Sequence, residues 1–318
     1  MTYDDYRRWR SEQRARNPSL VDRGELDLYR SLGPSFETIA PSVDPQAPYR
    51  CHLSERFLER LGLDRSLASR ALVTHGVRRS LSALFALFAA RGARVAVPGD
   101  VYPTYLSLAA SAGLAPSTYE ARLGLHPALE SMDVLLVCSP LKPWGGDGDL
   151  HRALDWARAD RRRVLLIDAV YSTPPSRVVL DAASRGDAVL LTSLSKGWLI
   201  PDRAGLCLVS EPMVSHAREA FAALEKDTSK LRVAFEALTV HRSRPERVTA
   251  MLRARADELD AWTRARPELE AARCEGYFAV SAKSAEALLA MGVIAIPASV
   301  FGGPATHSVL SSLAPVAL

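Results

Sequence analysis

The sequence predicts an α/β protein: a mostly parallel seven-stranded sheet sandwiched by helices, with a smaller α+β domain at the C-terminal end. Three observations carry this expectation. Short apolar runs recur between residues 71 and 209, amphipathic stretches separate them, and from residue 211 the pattern turns to long helical material. Strand and helix in alternation imply parallel strands with helices on both faces. With 318 residues, 48% hydrophobic and 24% charged, the chain has the length and composition to bury one large core or two smaller ones.

Residues 1–44 are charged and interrupted by Pro18, Gly24, Gly33 and Pro34, and are expected to form an arm over the surface or over a partner subunit. The large domain is expected over 45–210. Its strands read as ALVT (71–74), RVAV (94–97), APSTYE (115–120), DVLLV (133–137), RVLLI (163–167), AVLLT (188–192) and GLCLV (205–209). Helical spacing is clear in SLSALFALFAARG (80–92) and LHRALDWARADRR (150–162). Only about a dozen residues separate the last two strands, too few for a full crossover helix, so that pair is expected to be antiparallel. The small domain is expected over 211–318. It holds helical material to about 265, then a strand-like piece (276–282), a helix (283–291) and VIAIP (293–297).

Composition narrows the class. A formal net charge of +4 is too small and too dispersed to argue for nucleic acid, and Arg161-Arg162-Arg163 reads as a solvated helix end. No apolar stretch approaches the ~20 residues that cross a membrane. The N-terminus MTYDDYRRWRSEQRAR is unlike a secretory signal. Cys51, Cys138, Cys207 and Cys274 are widely separated, as expected of reduced thiols and not of a disulfide framework or a zinc site. Together these features predict a soluble cytoplasmic protein.

Candidate chemistry lies where the strands end, because open α/β sheets place ligands at the C-terminal edge of their strands. THGVRRSL (74–81) is a strand, a glycine turn and a helix, which presents the N–H groups of Val77 and Arg78 to an anion. PGDVYPTY (98–105) sets Tyr102 and Tyr105 above the sheet edge, and CSPLKPWGG (138–146) is a loop with two prolines and paired glycines. DAVYS (168–172) leaves Asp168 where its strand stops, and SLSK leaves Lys196, one of only five lysines among 40 basic residues. An amine partly desolvated there has a lowered pKa and suits imine chemistry. Singly, each has an ordinary explanation: a surface lysine, a helix cap, a tyrosine roofing the core. Five such loops in order on one edge point to a site.

This order of glycine turn, aromatic, SPxxPxxG, DxxY and SxSK with a following arginine resembles fold-type I pyridoxal-phosphate enzymes of aminotransferase class I/II. The resemblance covers about 45–210 well and the C-terminal third loosely. It implies pyridoxal 5′-phosphate as cofactor, with Lys196 holding its aldehyde as an imine and then moving a proton. It also implies Asp168 facing the pyridine nitrogen, Tyr171 bonding the 3′ oxygen and Tyr102 stacked on the ring. The phosphate would take the N–H groups of Val77 and Arg78, the hydroxyls of Ser193 and Ser195, the guanidinium of Arg203, and Tyr49 from the neighbouring subunit of a homodimer. The expected activity is transamination of an amino-acid-type substrate through external aldimine and quinonoid. The alternatives are non-transaminating chemistry (elimination, replacement or cyclisation) or a non-catalytic binding module that kept the fold.

Three departures matter. Lys142 stands where the family has asparagine and is expected to face the substrate. Arg203 follows Lys196 one residue sooner than usual. Leu310 stands where the family carries the arginine that clamps the substrate carboxylate, and no arginine follows Arg273.

Overall fold

A computed structural model describes residues 1–47, 50–125, 127–200, 204–222, 228–274 and 276–314. Its strands are, in chain order, β1 (Val21–Asp22), β2 (Ala71–Thr74), β3 (Val95–Pro98), β4 (Ser117–Tyr119), β5 (Val134–Cys138), β6 (Val164–Asp168) and β7 (Val189–Ser193). There follow β8 (Gly205–Leu208), β9 (Ala271–Arg273), β10 (Phe278–Ser281), β11 (Val293–Ile294), β12 (Ile296–Pro297) and β13 (Ser308–Ser311).

Seven of these form the expected large sheet, in the order β2-β8-β7-β6-β5-β3-β4. The run β7-β6-β5-β3-β4 is parallel, while β8 lies antiparallel to both β2 and β7. The prediction of an antiparallel closing pair therefore holds. Every residue of β5 and β7 is buried, so both faces of the sheet need cover. Helix Val77–Ala90 supplies some of it through a stripe of Val77, Leu81, Leu84, Phe85 and Phe88, all buried. Those positions recur at the 3.6-residue helical period. Helix Arg177–Arg185 supplies more. The Ser176 hydroxyl caps it by accepting from the Val179 N–H, and Gly186 ends it in the left-handed region.

The C-terminal part carries a four-stranded antiparallel sheet, β12-β13-β10-β9, packed on helix Arg244–Arg264. Leu259 and Trp262 of that helix share a core with Leu269, Ala279, Leu288 and Leu310. Helices Val214–Ala222 and Thr228–Thr239 instead bury Ala217, Phe221, Leu231 and Leu238 in the core of the large sheet.

The N-terminal segment, expected as an arm over the surface or over a partner subunit, has regular structure of its own. It forms a helix, Tyr3–Arg16, capped by Thr2, and β1, which pairs in parallel with β11. Tyr6 is buried and its hydroxyl donates to the Gly24 carbonyl at 2.7 Å; Arg10 bridges Asp22 and Glu25 at 2.8 and 2.9 Å. These polar contacts, which hydropathy alone does not reveal, tie the helix to residues 22–25, and β1 with the Arg23 guanidinium, which donates to the Ala314 carbonyl, joins the segment to the C-terminal part. Among the described residues no helix is long and apolar enough to cross a membrane.

Candidate active site

The glycine turn is built as the sequence suggests. Gly76 adopts φ +93, a conformation that favours glycine, and starts helix Val77–Ala90 with no side chain capping it. The first N–H groups of that helix have no intrahelical partner and remain available to an anion. Val77 is buried and the Arg78 side chain is exposed. Across the turn, Gly205 of β8 approaches so closely that a Cβ there would stand 2.9 Å from the Gly76 Cα and 2.6 Å from the Thr192 carbonyl oxygen.

Lys196 lies in the short helix Leu194–Gly197 that follows β7. Ser193 begins this turn: its hydroxyl accepts from the Ser195 N–H at 3.1 Å and lies 2.6 Å from the Ser195 hydroxyl. Two hydroxyls are thus fixed beside the lysine.

Asp168 ends β6 and is only 6% exposed. Its Oδ1 accepts from the Val170 N–H at 3.0 Å and its Oδ2 from the Tyr105 hydroxyl at 2.7 Å. Burial pushes its pKa above the usual carboxylate range, while the Tyr105 bond, the Val170 bond and the positive charge of Lys196 act the other way. The Tyr105 oxygen also lies 3.1 Å from the Cys138 sulfur. Because the tyrosine's one proton goes to the carboxylate, the thiol is the donor in that second bond. Cys138 is the register partner of Asp168 across the β5–β6 pair. Tyr102 sets its ring edge-on to Tyr105 at 5.2 Å.

A cleft of about 420 Å³ opens beside these groups, and Lys142, Tyr171 and Lys196 of the predicted set line it. The Lys196 Nζ stands 5.1 Å from the centre of the Tyr171 ring, and the Lys142 Nζ 4.4 Å from that ring. Lys142 also faces Tyr277 at 3.7 Å and Phe278 at 5.6 Å. Burial, and then the neighbouring charge of Lys196, push the Lys142 amine well below an ordinary lysine. Val77, Arg78, Tyr102, Asp168, Ser193 and Ser195 do not border this cleft. Tyr49 and Arg203 lie outside the described residues. Leu310 is fully buried in β13, in the core with Leu259 and Trp262, and does not line the cleft.

The residues present fit pyridoxal phosphate. An amine and a buried carboxylate face one region, and each carboxylate oxygen keeps acceptor capacity beyond its present donor. A helix N-terminus without a side-chain cap and a pair of hydroxyls are groups that would suit a phosphate.

The model of the family described as aminotransferase class I and II matches residues 38–305. The chain belongs to that family. Members of aminotransferase class I and II use pyridoxal phosphate. Aspartate aminotransferase of Thermus thermophilus, as a double mutant, superposes with a TM-score of 0.70 at 21% identity, covering 99% of this chain and 92% of that one. The substrate-bound BacF structure of Bacillus subtilis gives 0.69 at 17% identity, covering 93% and 87%. YbdL of Escherichia coli, described with a methionine aminotransferase function, gives 0.67 at 17%, covering 96% and 91%. These likenesses show the fold. A threonine-phosphate decarboxylase of Pseudomonas aeruginosa is 29% identical over 199 residues. That match takes in 61% of this chain and 59% of the relative's length.

Cys138, Tyr277 and Phe278 were not among the predicted site residues, and Tyr105, set above the sheet edge by the sequence, was given no role there. The YPTY spacing, which puts two tyrosines three residues apart at a helix start, is the only sequence signal for Tyr105. Tyr277 and Phe278 reach the site through docking of the C-terminal part, which leaves no local mark.

Proposed function

We propose that the chain is a pyridoxal-phosphate-dependent enzyme acting on an amino-group substrate, in the first instance an aminotransferase. The convergence of Lys196, Tyr171 and Lys142 on one cleft, beside a buried Asp168, carries this proposal. Bound there, the cofactor supplies an electron-withdrawing ring. Lys196 would hold the cofactor aldehyde and then move a proton at the substrate's amino-bearing carbon. Asp168, oriented by Tyr105 and Val170, would keep the proton on the ring nitrogen. Tyr171 would donate to the 3′ oxygen and Tyr102 would pack against the ring. Val77, Arg78, Ser193 and Ser195 would take the phosphate, with Arg203 and Tyr49 completing the set.

Non-transaminating chemistry is the second reading. The replacement of asparagine by Lys142 and the burial of Leu310 in a core favour it, as does the match to a decarboxylase. A binding module is the weaker alternative, because it needs no imine-forming lysine beside a buried carboxylate. We further propose a cytoplasmic homodimer, which sedimentation at micromolar concentration tests; a fully active monomer would contradict it. In domain terms the arm 1–44 and a cofactor-binding part from residue 45 stand as proposals. Phe221 and Leu238, which pack with the large sheet, support a start for the small domain later than residue 211.

Borohydride reduction of the purified, cofactor-loaded protein tests the central claim. The expected result is loss of the visible band and added mass on Lys196. Lys196→Ala should keep the fold and lose at least about 10²-fold in turnover. Near-normal turnover in that variant would overturn the proposal.

A further inference from the structure

The wall of the cleft carries more positive charge than a single imine-forming lysine requires. Lys142, Arg253 and Arg273 line it together with Lys196, against one carboxylate, Asp147. Asp147 is already engaged by the Ser139 hydroxyl. Arg273 pairs with Asp257 at 2.6 Å. Asp257 lies one turn beyond Arg253 on helix Arg244–Arg264, so the two guanidinium groups flank one face of that helix. Arg253 is exposed and forms no ion pair among the described residues.

The Lys142 amine is buried among the rings of Tyr171, Tyr277 and Phe278. Ring faces attract an ammonium but carry no net counter-charge. Among the described residues no carboxylate pairs with it. Gly276, at φ +92, keeps the space beside the amine open: a Cβ there would lie 3.0 Å from the Nζ. The strand position that carries the family's carboxylate clamp holds Leu310, buried in a core away from the cleft. A substrate acid therefore has its cationic partners among the residues that line the cleft and none on β13.

We propose that the cleft binds an oxyanion of the substrate, a carboxylate or a phosphate, on the cations that line it, Lys142, Arg253 and Arg273. This rests on the cofactor proposal only in that the same substrate also reaches Lys196. Cations converging in a partly desolvated cleft concentrate potential there, and the guanidinium fork matches either oxyanion. The anion also restores to the Lys142 ammonium part of the stabilisation that burial removes.

The test titrates the holoenzyme with succinate and, separately, with inorganic phosphate, followed by calorimetry, while the visible cofactor band is monitored. Saturable binding of at least one probe is expected, and the tighter probe identifies the oxyanion. Lys142→Met and Arg253→Ala should each weaken it by about tenfold or more. Arg177→Ala, which removes an exposed cation outside the cleft, should stay within about twofold of the parent. Because Arg253 is exposed, its variant reports even if Lys142→Met folds poorly. The proposal is overturned if neither probe binds, or if Arg253→Ala and a folded Lys142→Met both bind like the parent with the band intact. A missing band in the parent would instead overturn the cofactor proposal, and the anion titration would still read the wall.

Discussion

Replacing Tyr105 by phenylalanine removes one oxygen from a closed chain of three groups and leaves the ring in place. The lost group donates to Asp168 at 2.7 Å and accepts from Cys138 at 3.1 Å. A hydrogen bond to a charged partner contributes about 1.5–3 kcal/mol. That stabilisation acts on the ionised form of the Asp168 carboxyl. The sign follows from the structure: the Tyr105 bond lowers this pKa against the raising effect of burial, so its removal raises it further. In its proposed role Asp168 must be ionised to hold a proton on the cofactor ring. The acid limb of cofactor retention should therefore move to higher pH, with the alkaline plateau unchanged. The assay is the visible band as a function of pH in parent and Tyr105→Phe, supported by the acid limb of turnover. Cys138→Ser, which keeps a donor for the tyrosine oxygen, should follow the parent. Superimposable acid limbs in parent and Tyr105→Phe would refute the coupling of Tyr105 to Asp168.

Two further outcomes are expected. Lys142 has a folded-state pKa below its unfolded value of 10.5, so its burial carries a penalty that is absent above pH 10.5 and grows as pH falls toward the folded pKa. In the cofactor-free protein Lys142→Met should accordingly raise Tm at pH 7 by a few degrees for each pK unit of depression, with the gain shrinking above pH 10.5; a lowered Tm at pH 7 would mean that the aromatic faces outweigh desolvation. Gly205→Ala places a Cβ 2.6 Å from the Thr192 carbonyl and should cost about 1–3 kcal/mol while weakening cofactor affinity through the Gly76 turn; calorimetry showing parental Tm would contradict the close approach.

The large sheet was legible because its strands are short apolar runs bounded by Gly, Pro or Asp. Six of the seven lie within a residue of the expected bounds at both ends, while the weak run APSTYE shrinks to three residues. Asp168 and Lys196 were legible for a related reason, since a polar residue that closes an apolar run falls on the ligand-binding edge. The strands β9 and β13 escaped because AAR and SVLS carry no apolar run of their own and are strands through their pairing with β10. The link between Cys138, Tyr105 and Asp168 escaped because it depends on the register of two strands and on a helix from a third segment. The anchoring of the N-terminal helix escaped because its contacts are a tyrosine hydroxyl and an arginine pair, which look solvent-facing in a hydropathy pattern.

The placing of β8 between β2 and β7 has a consequence for the order in which the chain can assemble. β2 is the first strand of the large sheet to leave the ribosome, yet its one neighbour in that sheet, β8, is the last. Until residues 205–208 emerge, the edge of Ala71–Thr74 has no ladder, and an unpaired edge is a template for association with other chains. The same delay applies to the Gly76 turn, which becomes packed only when Gly205 arrives against it. If the Gly76 turn holds the phosphate as proposed, its capture belongs to the end of folding, because the long loop between β2 and β8 must close before the contacts that reward it exist. A nascent chain stalled before residue 205 would carry most of the sheet and bind no cofactor.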